Sequence, residues 1–494
     1  MAFLFLGKAI FQMMNLSADN QALLKEKQIN EEEILRQVQL LRSGTPFTSV
    51  EAACTPGQGI TVLQDEEVEL AIGVFNEAKN RLKLTKFVPA SGAASRMFKH
   101  LFSKQLDSTL CQQFFSEIDR FPFYPEIEQS CGKPESTETW QLNVIDFLLS
   151  EDGLNFGKLP KGAIPFHSYP DGARNAFIEH LHESLGYSVS QQGGEVHFTV
   201  TKALSAYSRE HILNHAQNLT KERKLLVSYS EQFQNTDTVA LDEQNELVHL
   251  ADGRLLFRPG GHGSLIKNLA MIDADVVFIK NIDNVVPDAQ KETTYKWKKA
   301  LAGTLLMLVE RRDELLRALK EGNRTAAHEA HSFYNKYFAL DEVSFGSIDE
   351  LMALLDRPIR IGGMVRNQGE PGGGPYWTES MGRLSAQIVE ASQIDLDNSE
   401  QREIVATASH FNPVDIVCNI KKLDGQNYNL DQFIDHNQSF ITHKSIEGKE
   451  VKSLEHPGLW NGGMAGWLTL FVEVPLATFA PVKTVNDLLR DEHQ

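Results

Sequence analysis

Short apolar runs alternate with helical segments between residues 83 and 285, and this alternation limits the folds that the chain can adopt. The runs "KLTKFVPA" (83–90), "EVHFTVT" and "DVVFIKNI" (275–282) have the length and composition of buried strands. A further strand is predicted over 224–230, and helices over 172–186, 203–217 and 264–271. Such alternation is typical of a mostly parallel sheet with helices against its faces. The sequence therefore predicts an α/β core.

Helical patterns precede this core. Over residues 17–45, apolar side chains recur at helical spacing, and Asn30, followed by acidic residues, is placed to cap a helix start. A second helix is predicted over 65–83. Residues 1–82 are therefore assigned to an N-terminal helical region.

A long helix predicted over 292–322 closes the core, which we assign to residues 83–355. The glycine-rich stretch "IGGMVRNQGEPGGGPYW" (361–377) then marks a boundary. Beyond it, "EIVATASHF" and "WLTLFVEVPL" are predicted to be strands. Residues 356–494 are thus predicted to form a smaller α+β region.

Charge and cysteine content exclude several classes of function. With 48 Lys and Arg against 66 Asp and Glu, the net charge is −18, which argues against a nucleic-acid-binding surface. The four cysteines are scattered without metal-binding spacing, as is typical of a reduced intracellular protein. No apolar run reaches membrane-spanning length, and no signal peptide is predicted, because Lys8 interrupts the apolar N-terminal stretch. We expect a cytoplasmic protein with neither nucleic-acid nor membrane partners.

Small residues follow the first predicted strand and form what we call the small-residue loop. It consists of Ala90, Ser91, Gly92, Ala93, Ala94 and Ser95, followed by Arg96. Accessible backbone N–H groups at a helix start, with an arginine beside them, can bind an anion. The loop lacks the Gly-Lys-Ser/Thr of a Walker sequence, and taken alone it is better explained as a tight strand-to-helix turn.

A second glycine-rich segment, "RPGGHGSL" (258–265), precedes the last predicted strand of the core. Gly261 and Gly263, on either side of His262, would let a flat ring or a sugar lie against the backbone. Asp283 follows the strand, so its carboxylate is predicted at the carboxyl edge of the sheet, where α/β proteins bind ligands and where it is a natural Mg²⁺ ligand. Taken alone, a turn-capping aspartate and an ordinary loop histidine are simpler explanations.

Two lysines follow prolines closely. Lys161 lies in "LPKGAIPF", and Lys483 lies in "FAPVKT". A lysine in such a stiff turn either contacts phosphate or is solvated at the surface, and the surface position is the simpler expectation for each alone.

In their order along the chain, these segments resemble the UDP-sugar pyrophosphorylase branch of the GT-A nucleotidyltransferases. "ASGAASRM" is similar to the family's A-G-G-x-G-T-R-L signature, with Gly92, Ser95 and Arg96 on its Gly, Thr and Arg. "LPKGAIPF" is similar to the P-K-x-x-x-P segment and places Lys161 on the signature lysine. "PGGHGSL" resembles P-P-G-H-G-D, "NIDN" matches N-I-D-N, and "FAPVK" resembles F-x-P-L-K. The whole chain looks like a bacterial family distantly related to this branch.

The chain departs from the family pattern at several positions. Ser91 and Ala94 stand where relatives have glycine, and Ser264 replaces the aspartate of P-P-G-H-G-D. The interval before Lys161 is also long, so either a helical insertion loops out or Lys99 supplies the signature lysine.

The resemblance implies a GT-A-like fold and a reaction between a nucleoside triphosphate and a sugar-1-phosphate that releases pyrophosphate. It assigns Arg96, Lys161 and Lys483 to charge balance on the phosphates and Asp283 to Mg²⁺, with Asp415 as a second metal ligand or a structural strand residue. The implied nucleotide-binding residues are Ala90, Ser91, Gly92, Ala93, Ser95, Gly261, His262 and Gly263.

The stretch "RNQGEPGGGPYW" has two interpretations. It is a loop over the acceptor, in which Arg366 and Glu370 meet a sugar and Tyr376 and Trp377 stack on its ring, or it is a surface turn whose aromatic residues pack in the core. Further candidate substrate contacts are Asn284 and Asn461, while Trp460 and Trp467 are predicted core residues.

Two other functions are consistent with the sequence. A GT-A fold that has lost turnover would bind a nucleotide sugar without reacting, and the replaced glycines favour this alternative. A metal-dependent glycosyltransferase would also hold a divalent ion on Asp283, although it does not need the "SGAASR" signature.

Overall fold

A nine-stranded sheet forms the centre of the molecule. The computed structural model describes residues 16–201, 209, 212, 219, 224–369, 372–446 and 449–494. Among these residues, the strands in chain order are β1 (Val50–Ala53), β2 (Thr55–Pro56), β3 (Gly59–Thr61), β4 (Leu84–Pro89), β5 (Pro165–Tyr169), β6 (Gly172–Asn175), β7 (Gly194–Val200), β8 (Leu225–Glu231), β9 (Thr238–Asp242), β10 (Phe257–Arg258), β11 (Val276–Lys280), β12 (Ile359–Arg366), β13 (Gly373–Ser380), β14 (Arg383–Glu390), β15 (His410–Asn419), β16 (Phe440–Ile446), β17 (Lys449–Glu455) and β18 (Leu468–Glu473). The α-helices are Ala18–Lys27, Glu31–Ser43, Asp65–Ala78, Lys99–Phe102, Thr109–Ser116, Tyr124–Cys131, Glu138–Leu149, Ala176–Tyr187, Ile266–Ala270, Lys291–Lys320, Arg324–Phe338, Ile348–Leu355 and Ser399–Ala406.

The strand order in this sheet is β2-β3-β18-β12-β15-β11-β4-β7-β8. Strand β15 runs antiparallel to both of its neighbours, whereas every other neighbouring pair is parallel. The predicted α/β fold with a mixed, mostly parallel sheet is thus confirmed. All strands except β15 point the same way, so their carboxyl ends meet at one edge of the sheet.

The sheet takes strands from all three predicted regions. Strands β2 and β3 come from the region predicted as helical, and β12, β15 and β18 come from the C-terminal region. Strands of two or three residues are too short to show an alternation of apolar and polar residues, so β2 and β3 were not predicted. The boundaries drawn after residues 82 and 355 therefore do not separate independent sheets.

A second sheet, of order β10-β9-β17-β16, carries the N-terminal helices. Ile34 of the helix Glu31–Ser43 and Val239 of β9 are buried in one shared apolar cluster. Asn30 caps this helix as predicted, since its side chain accepts a hydrogen bond from the backbone N–H of Glu33 at 2.7 Å.

The helix predicted over 292–322 is present as Lys291–Lys320 and packs beside the large sheet. It buries Leu301 and Leu305 in a shared cluster with strand residues, and each such side chain stabilises the fold by about 1.5–3 kcal/mol. A Cβ on Gly303 would come within 1.8 Å of the backbone oxygen of Ala71. Only glycine at this position lets the helix Lys291–Lys320 approach the helix Asp65–Ala78, which carries Ala71, so closely.

Residues 97–158 form an aromatic-rich helical insertion after β4. Phe98 stacks on Phe156 with ring centroids 5.6 Å apart, and Phe114 stacks on Phe121 at 4.7 Å. These rings belong to one apolar cluster that also includes Val88 and Phe198 of the sheet, so the insertion packs directly against the sheet. The long interval before Lys161 is therefore a looped-out helical insertion, the first of the two predicted alternatives.

The glycine-rich stretch 361–377, predicted to mark a boundary, instead contributes to strands β12 and β13. The bounds of two further predicted elements also differ from the structure. The helix expected from residue 172 starts at Ala176, because Asn175 caps it by accepting a hydrogen bond from Ile178 N–H at 3.0 Å. In "EIVATASHF" the first residues belong to the helix Ser399–Ala406, which Asn398 caps. Both errors come from caps that the apolar pattern alone does not reveal.

The helix predicted over 203–217 lies almost entirely outside the described residues. Of the helices that the structure describes, none is long and apolar enough to cross a membrane.

Candidate functional site

Three conspicuous segments lie at the carboxyl edge of the sheet. The small-residue loop follows β4, Gln232 follows β8, and Asp283 lies three residues after the end of β11. Strands β11, β4, β7 and β8 are neighbours in this order and parallel, so these segments share one edge. The predicted position of Asp283 at this edge is confirmed, and open α/β sheets bind ligands there.

Backbone hydrogen bonds join the small-residue loop to the segment that carries Lys161. The N–H of Lys161 donates to the carbonyl of Gly92 at 3.0 Å, and the N–H of Ala94 donates to the carbonyl of Leu159 at 2.9 Å. The insertion thus returns the chain to the point where it left the sheet. Lys161, rather than Lys99 at the start of the helix Lys99–Phe102, is the lysine placed beside the loop.

The small-residue loop is open at its centre. A Cβ added at Gly92 would meet no atom within 4 Å, and Ala93 and Ser95 are exposed while Ser91 is half-buried. Ala90 differs from the prediction because it is buried and its N–H donates to the carbonyl of Thr199 at 3.0 Å. Its amide is used within the sheet and is not available to an anion.

Arg96 ends the short 3₁₀ turn after this loop and is exposed. No ion pair of Arg96 occurs within the residues that the structure describes. The guanidinium is therefore free to meet an anion that enters the loop.

Two lysines from distant parts of the chain converge on Asp283. Lys161 Nζ lies 2.7 Å from Oδ2 of Asp283, and Lys483 Nζ lies 3.7 Å from the same oxygen. Burial by itself raises the pKa of Asp283, but the charges of Lys161 and Lys483 outweigh it and hold the pKa below its usual value. The carboxylate is thus ionised at neutral pH, between two ammonium groups.

Asn284 holds the Lys483 segment in place. Its side-chain oxygen accepts a hydrogen bond from Ala480 N–H at 3.0 Å, and its amide group donates to the carbonyl of Thr478 at 3.4 Å. The N–H of Val482 donates to the carbonyl of Asp283 at 3.0 Å. Asn284, predicted to contact substrate, is buried, and its hydrogen bonds hold the segment that carries Lys483.

The turn around His262 packs against the chain itself. Gly261 has a φ of +77°, and a Cβ on Gly263 would come within 2.1 Å of the backbone oxygen of Pro457. The His262 ring stacks on Trp460 at 4.2 Å, and its Nδ1 accepts a hydrogen bond from Leu459 N–H at 3.0 Å. The predicted space for a ligand ring against these glycines is therefore taken by the segment 455–460. Burial lowers the pKa of His262 to about 4, so the ring is neutral.

Glu390, which the sequence analysis missed, lies near Lys483. It ends β14, its carboxylate caps the turn Ala391–Gln393, and the side chains of Asn461 and Trp460 lie close to it. Burial raises the pKa of Glu390, and these neighbouring polar groups and the positive charge of Lys483 only partly offset the shift. No motif signals this residue, because its partners are about 70 positions further along the chain. Asn461, predicted to contact substrate, is thus placed beside a partly exposed carboxylate.

Gln232 is a second residue that sequence reasoning missed. Its side-chain nitrogen is buried without a hydrogen-bond partner among the described residues. A buried donor without a partner destabilises the folded protein unless a ligand or a water molecule accepts its hydrogen bond. Its place after β8, at the carboxyl edge, makes it a candidate ligand contact.

Asp415 does not reach this site. It lies within β15 opposite Lys280 and forms an ion pair with the buried Lys298. Because β15 is antiparallel to β11, Asn412 rather than Asp415 is the residue of β15 that lies toward the edge. The structure thus places Asp415 inside the sheet, which fits the structural alternative and not the metal-binding one.

The structure describes only part of the predicted acceptor loop. Arg366 is exposed and pairs with Glu473 at 3.2 Å, and Glu370 lies outside the described residues. Tyr376 and Trp377 are buried in β13, so they pack in the core and do not offer a stacking surface. Trp460 and Trp467 are buried as predicted.

The donors at this site fit Mg²⁺ only together with a ligand. Among the described residues, no group of three or more His, Cys, Asp or Glu side chains is placed to hold a metal ion. Mg²⁺, however, commonly binds one or two carboxylates and takes its other oxygens from phosphates and water. Asp283 supplies one such carboxylate, beside a loop open to an anion.

The sheet order and the charged groups at its edge define an α/β protein whose candidate ligand site lies beyond the carboxyl ends of the strands. Its fold is that of the UDP-sugar pyrophosphorylases, as the motifs predict. The uridine diphosphate N-acetylglucosamine pyrophosphorylase of Trypanosoma brucei aligns with 92% of this chain and 74% of its own, at a TM-score of 0.50 and 12% identity. The UDP-glucose pyrophosphorylase of Leishmania major aligns with 96% of this chain and 79% of its own, at 0.48 and 13%.

The family described as "Domain of unknown function (DUF4301)" matches residues 17–494, and the chain belongs to this family. A search of curated proteins finds no match.

Proposed function

We propose that this protein is a nucleotidyltransferase that joins a nucleoside triphosphate to a sugar-1-phosphate and releases pyrophosphate. The observation that carries the proposal is the convergence of Lys161 and Lys483 on Asp283, next to the open small-residue loop. Two ammonium groups around one carboxylate leave a net positive charge for a polyphosphate. The fold shared with UDP-sugar pyrophosphorylases supports the same reaction.

In this reaction an oxygen of the sugar phosphate attacks the α-phosphorus, and the bond from the α-phosphorus to the oxygen bridging to the β-phosphorus breaks. Pyrophosphate leaves with the electron pair of that bond, and no general base is needed because the attacking oxygen is already anionic. The chain then acts by positioning and charge neutralisation. Arg96 and the N–H groups of the loop hold the β- and γ-phosphates, while Lys161 and Lys483 balance charge at the α-phosphate.

Mg²⁺ is part of this proposal. Asp283 would hold the ion together with phosphate oxygens, and the ion would supply charge neutralisation between the phosphates. Of the two carboxylates named from the sequence, only Asp283 is offered for this role, because Asp415 is paired with Lys298.

The test is exchange of labelled pyrophosphate into nucleoside triphosphate. The protein is incubated with Mg²⁺, each of the four nucleoside triphosphates, and glucose, galactose, mannose or N-acetylglucosamine 1-phosphate. We expect exchange with at least one pair. Tight triphosphate binding without exchange for any pair would show instead the non-catalytic binding protein. Consumption of a nucleotide sugar without any need for pyrophosphate would show a glycosyltransferase.

The acceptor is expected to meet Glu390. A Glu390→Gln variant should raise the KM for the sugar-1-phosphate about tenfold, because a hydrogen bond to a charged group contributes roughly 1.5–3 kcal/mol. The KM for the triphosphate should change little, since its proposed contacts are Arg96 and the small-residue loop. Initial rates at varied acceptor concentration measure the effect.

The matched control for this variant is Glu379→Gln, on the neighbouring strand β13, where the carboxylate is exposed. It should leave both KM values unchanged. Equal effects of the two variants, or an effect of Glu390→Gln on the triphosphate alone, would remove Glu390 from the acceptor site.

A further inference from the structure

A group of buried polar and charged residues lies beneath the small-residue loop and the segment that carries Asp283. The helix Ala176–Tyr187 carries His180 and Glu183 three residues apart, so both point to the same side of the helix. Both are fully buried, as is Lys86, and Lys280 is only 1% exposed. None of these groups takes part in the chemistry described above.

Glu183 connects the strand that leads to the small-residue loop with the strand that leads to Asp283. Its Oε1 accepts a hydrogen bond from Lys86 Nζ in β4 at 2.9 Å, and its Oε2 accepts one from Lys280 Nζ in β11 at 2.8 Å. The two lysines lie on neighbouring parallel strands. The Glu183 carboxylate therefore fixes β4 relative to β11, and with these strands it fixes the small-residue loop relative to Asp283.

His180 extends this connection to the Asp283 segment itself. Its Nε2 lies 3.2 Å from the carbonyl oxygen of Ile282, the residue before Asp283. Because a carbonyl only accepts hydrogen bonds, Nε2 carries the ring proton and Nδ1 is the acceptor nitrogen. Among the described residues, Nδ1 has no hydrogen-bond partner.

Stability alone does not account for this arrangement. Burial lowers the pKa of Lys86 to about 7 although Glu183 attracts its charge, so the folded protein resists charging this lysine. Well-packed apolar residues often replace buried ion pairs with no loss of stability. A buried ring nitrogen without a partner likewise costs free energy that an apolar side chain would not.

We propose that His180 is a positioning residue for Asp283. By donating to the Ile282 carbonyl, it fixes the peptide before Asp283 and keeps the carboxylate between Lys161 and Lys483. The inference rests on the proposed nucleotidyl transfer, and a shift of about 1 Å in such a group can lower a rate about 100-fold.

The experiment compares His180→Leu with His180→Gln and with His182→Leu. Leucine removes the donor, whereas glutamine places an amide N–H close to the position of Nε2. His182 lies on the same helix but is only half-buried, near Arg174 and Lys291, and serves as the matched control. Two quantities are measured for each variant: the kinetic constants of pyrophosphate exchange, and amide hydrogen exchange over residues 281–285.

In His180→Leu, we expect kcat to fall about 10- to 100-fold with little change in KM, because substrate contacts remain while the carboxylate is displaced. Hydrogen exchange over 281–285 should become faster. His180→Gln should restore most of both quantities, and His182→Leu should match the wild type.

Faster hydrogen exchange with unchanged kcat would overturn the positioning role, as would failure of glutamine to restore either quantity in a folded variant. Equal losses in His182→Leu would overturn it too, because they would point to general damage to the helix. If the wild type shows no pyrophosphate exchange at all, the proposed function fails. Hydrogen exchange then tests separately whether His180 holds the Asp283 segment, and unchanged exchange in His180→Leu would overturn this part.

Discussion

An Asp283→Asn variant is expected to exchange pyrophosphate about 100- to 1,000-fold more slowly than the wild type, which is the range typical for removal of one preorganised electrostatic group. Asparagine keeps the shape of the side chain and can still accept a hydrogen bond from Lys161. It removes the negative charge that balances Lys161 and Lys483 and that would hold Mg²⁺. Exchange rates at saturating Mg²⁺ measure the loss, and circular dichroism verifies the fold.

The control for this variant is Asp273→Asn. Asp273 lies before β11, at the opposite end of the strand, and its exposed carboxylate pairs with Lys83 at 2.6 Å and with Lys421. It should keep the wild-type rate within about twofold, because an exposed ion pair contributes little. If Asp283→Asn retained a third or more of the wild-type rate, Asp283 could not be the centre of the reaction.

The largest expected effect on stability comes from Glu183. Replacing it by glutamine leaves Lys86 and Lys280 buried without a carboxylate between them. Removing one partner of a buried ion pair typically destabilises a protein by about 3–5 kcal/mol. Urea denaturation of Glu183→Gln should show a loss of this size in the free energy of unfolding.

Two further variants make this prediction specific. Glu314→Gln breaks an exposed ion pair with Arg311 and should cost less than about 1 kcal/mol. Replacing Glu183 by leucine together with Lys86 and Lys280 by methionine removes the whole set of charges, and most of the lost stability should return. A triple variant as unstable as Glu183→Gln would mean that shape, not unpaired charge, causes the loss.

Strands β4, β7, β8 and β11 were predictable from the sequence because they are apolar runs with clear ends. Strand β12 was not predicted, because its glycines indicated a boundary, and β15 begins only where a predicted strand ends. Strand β11 and Asp283 are the best example, since the position after the strand determines which edge the carboxylate occupies. Strands β2 and β3 were not predictable in the same way, because so few residues show no pattern.

The site was predictable only where a motif carried it. Lys161 and Lys483 were found through their segments, although spacing alone left Lys99 as an alternative until the insertion was seen to return to Gly92. Glu390 had no motif, since its environment is created by residues from another part of the chain. Asp415 was misplaced because a carboxylate inside a strand and one at its end look alike without the register.

The contacts around Asp283 also tie the charge of the site to the packing of a distant segment. Lys161 and Asp283 by themselves form a neutral pair. Lys483, 200 residues beyond Asp283 in the sequence, is held in place by Asn284 and by the Asp283 carbonyl. A change that detached this segment from Asn284 would therefore leave the lysine–aspartate pair intact and remove the excess positive charge that a triphosphate needs.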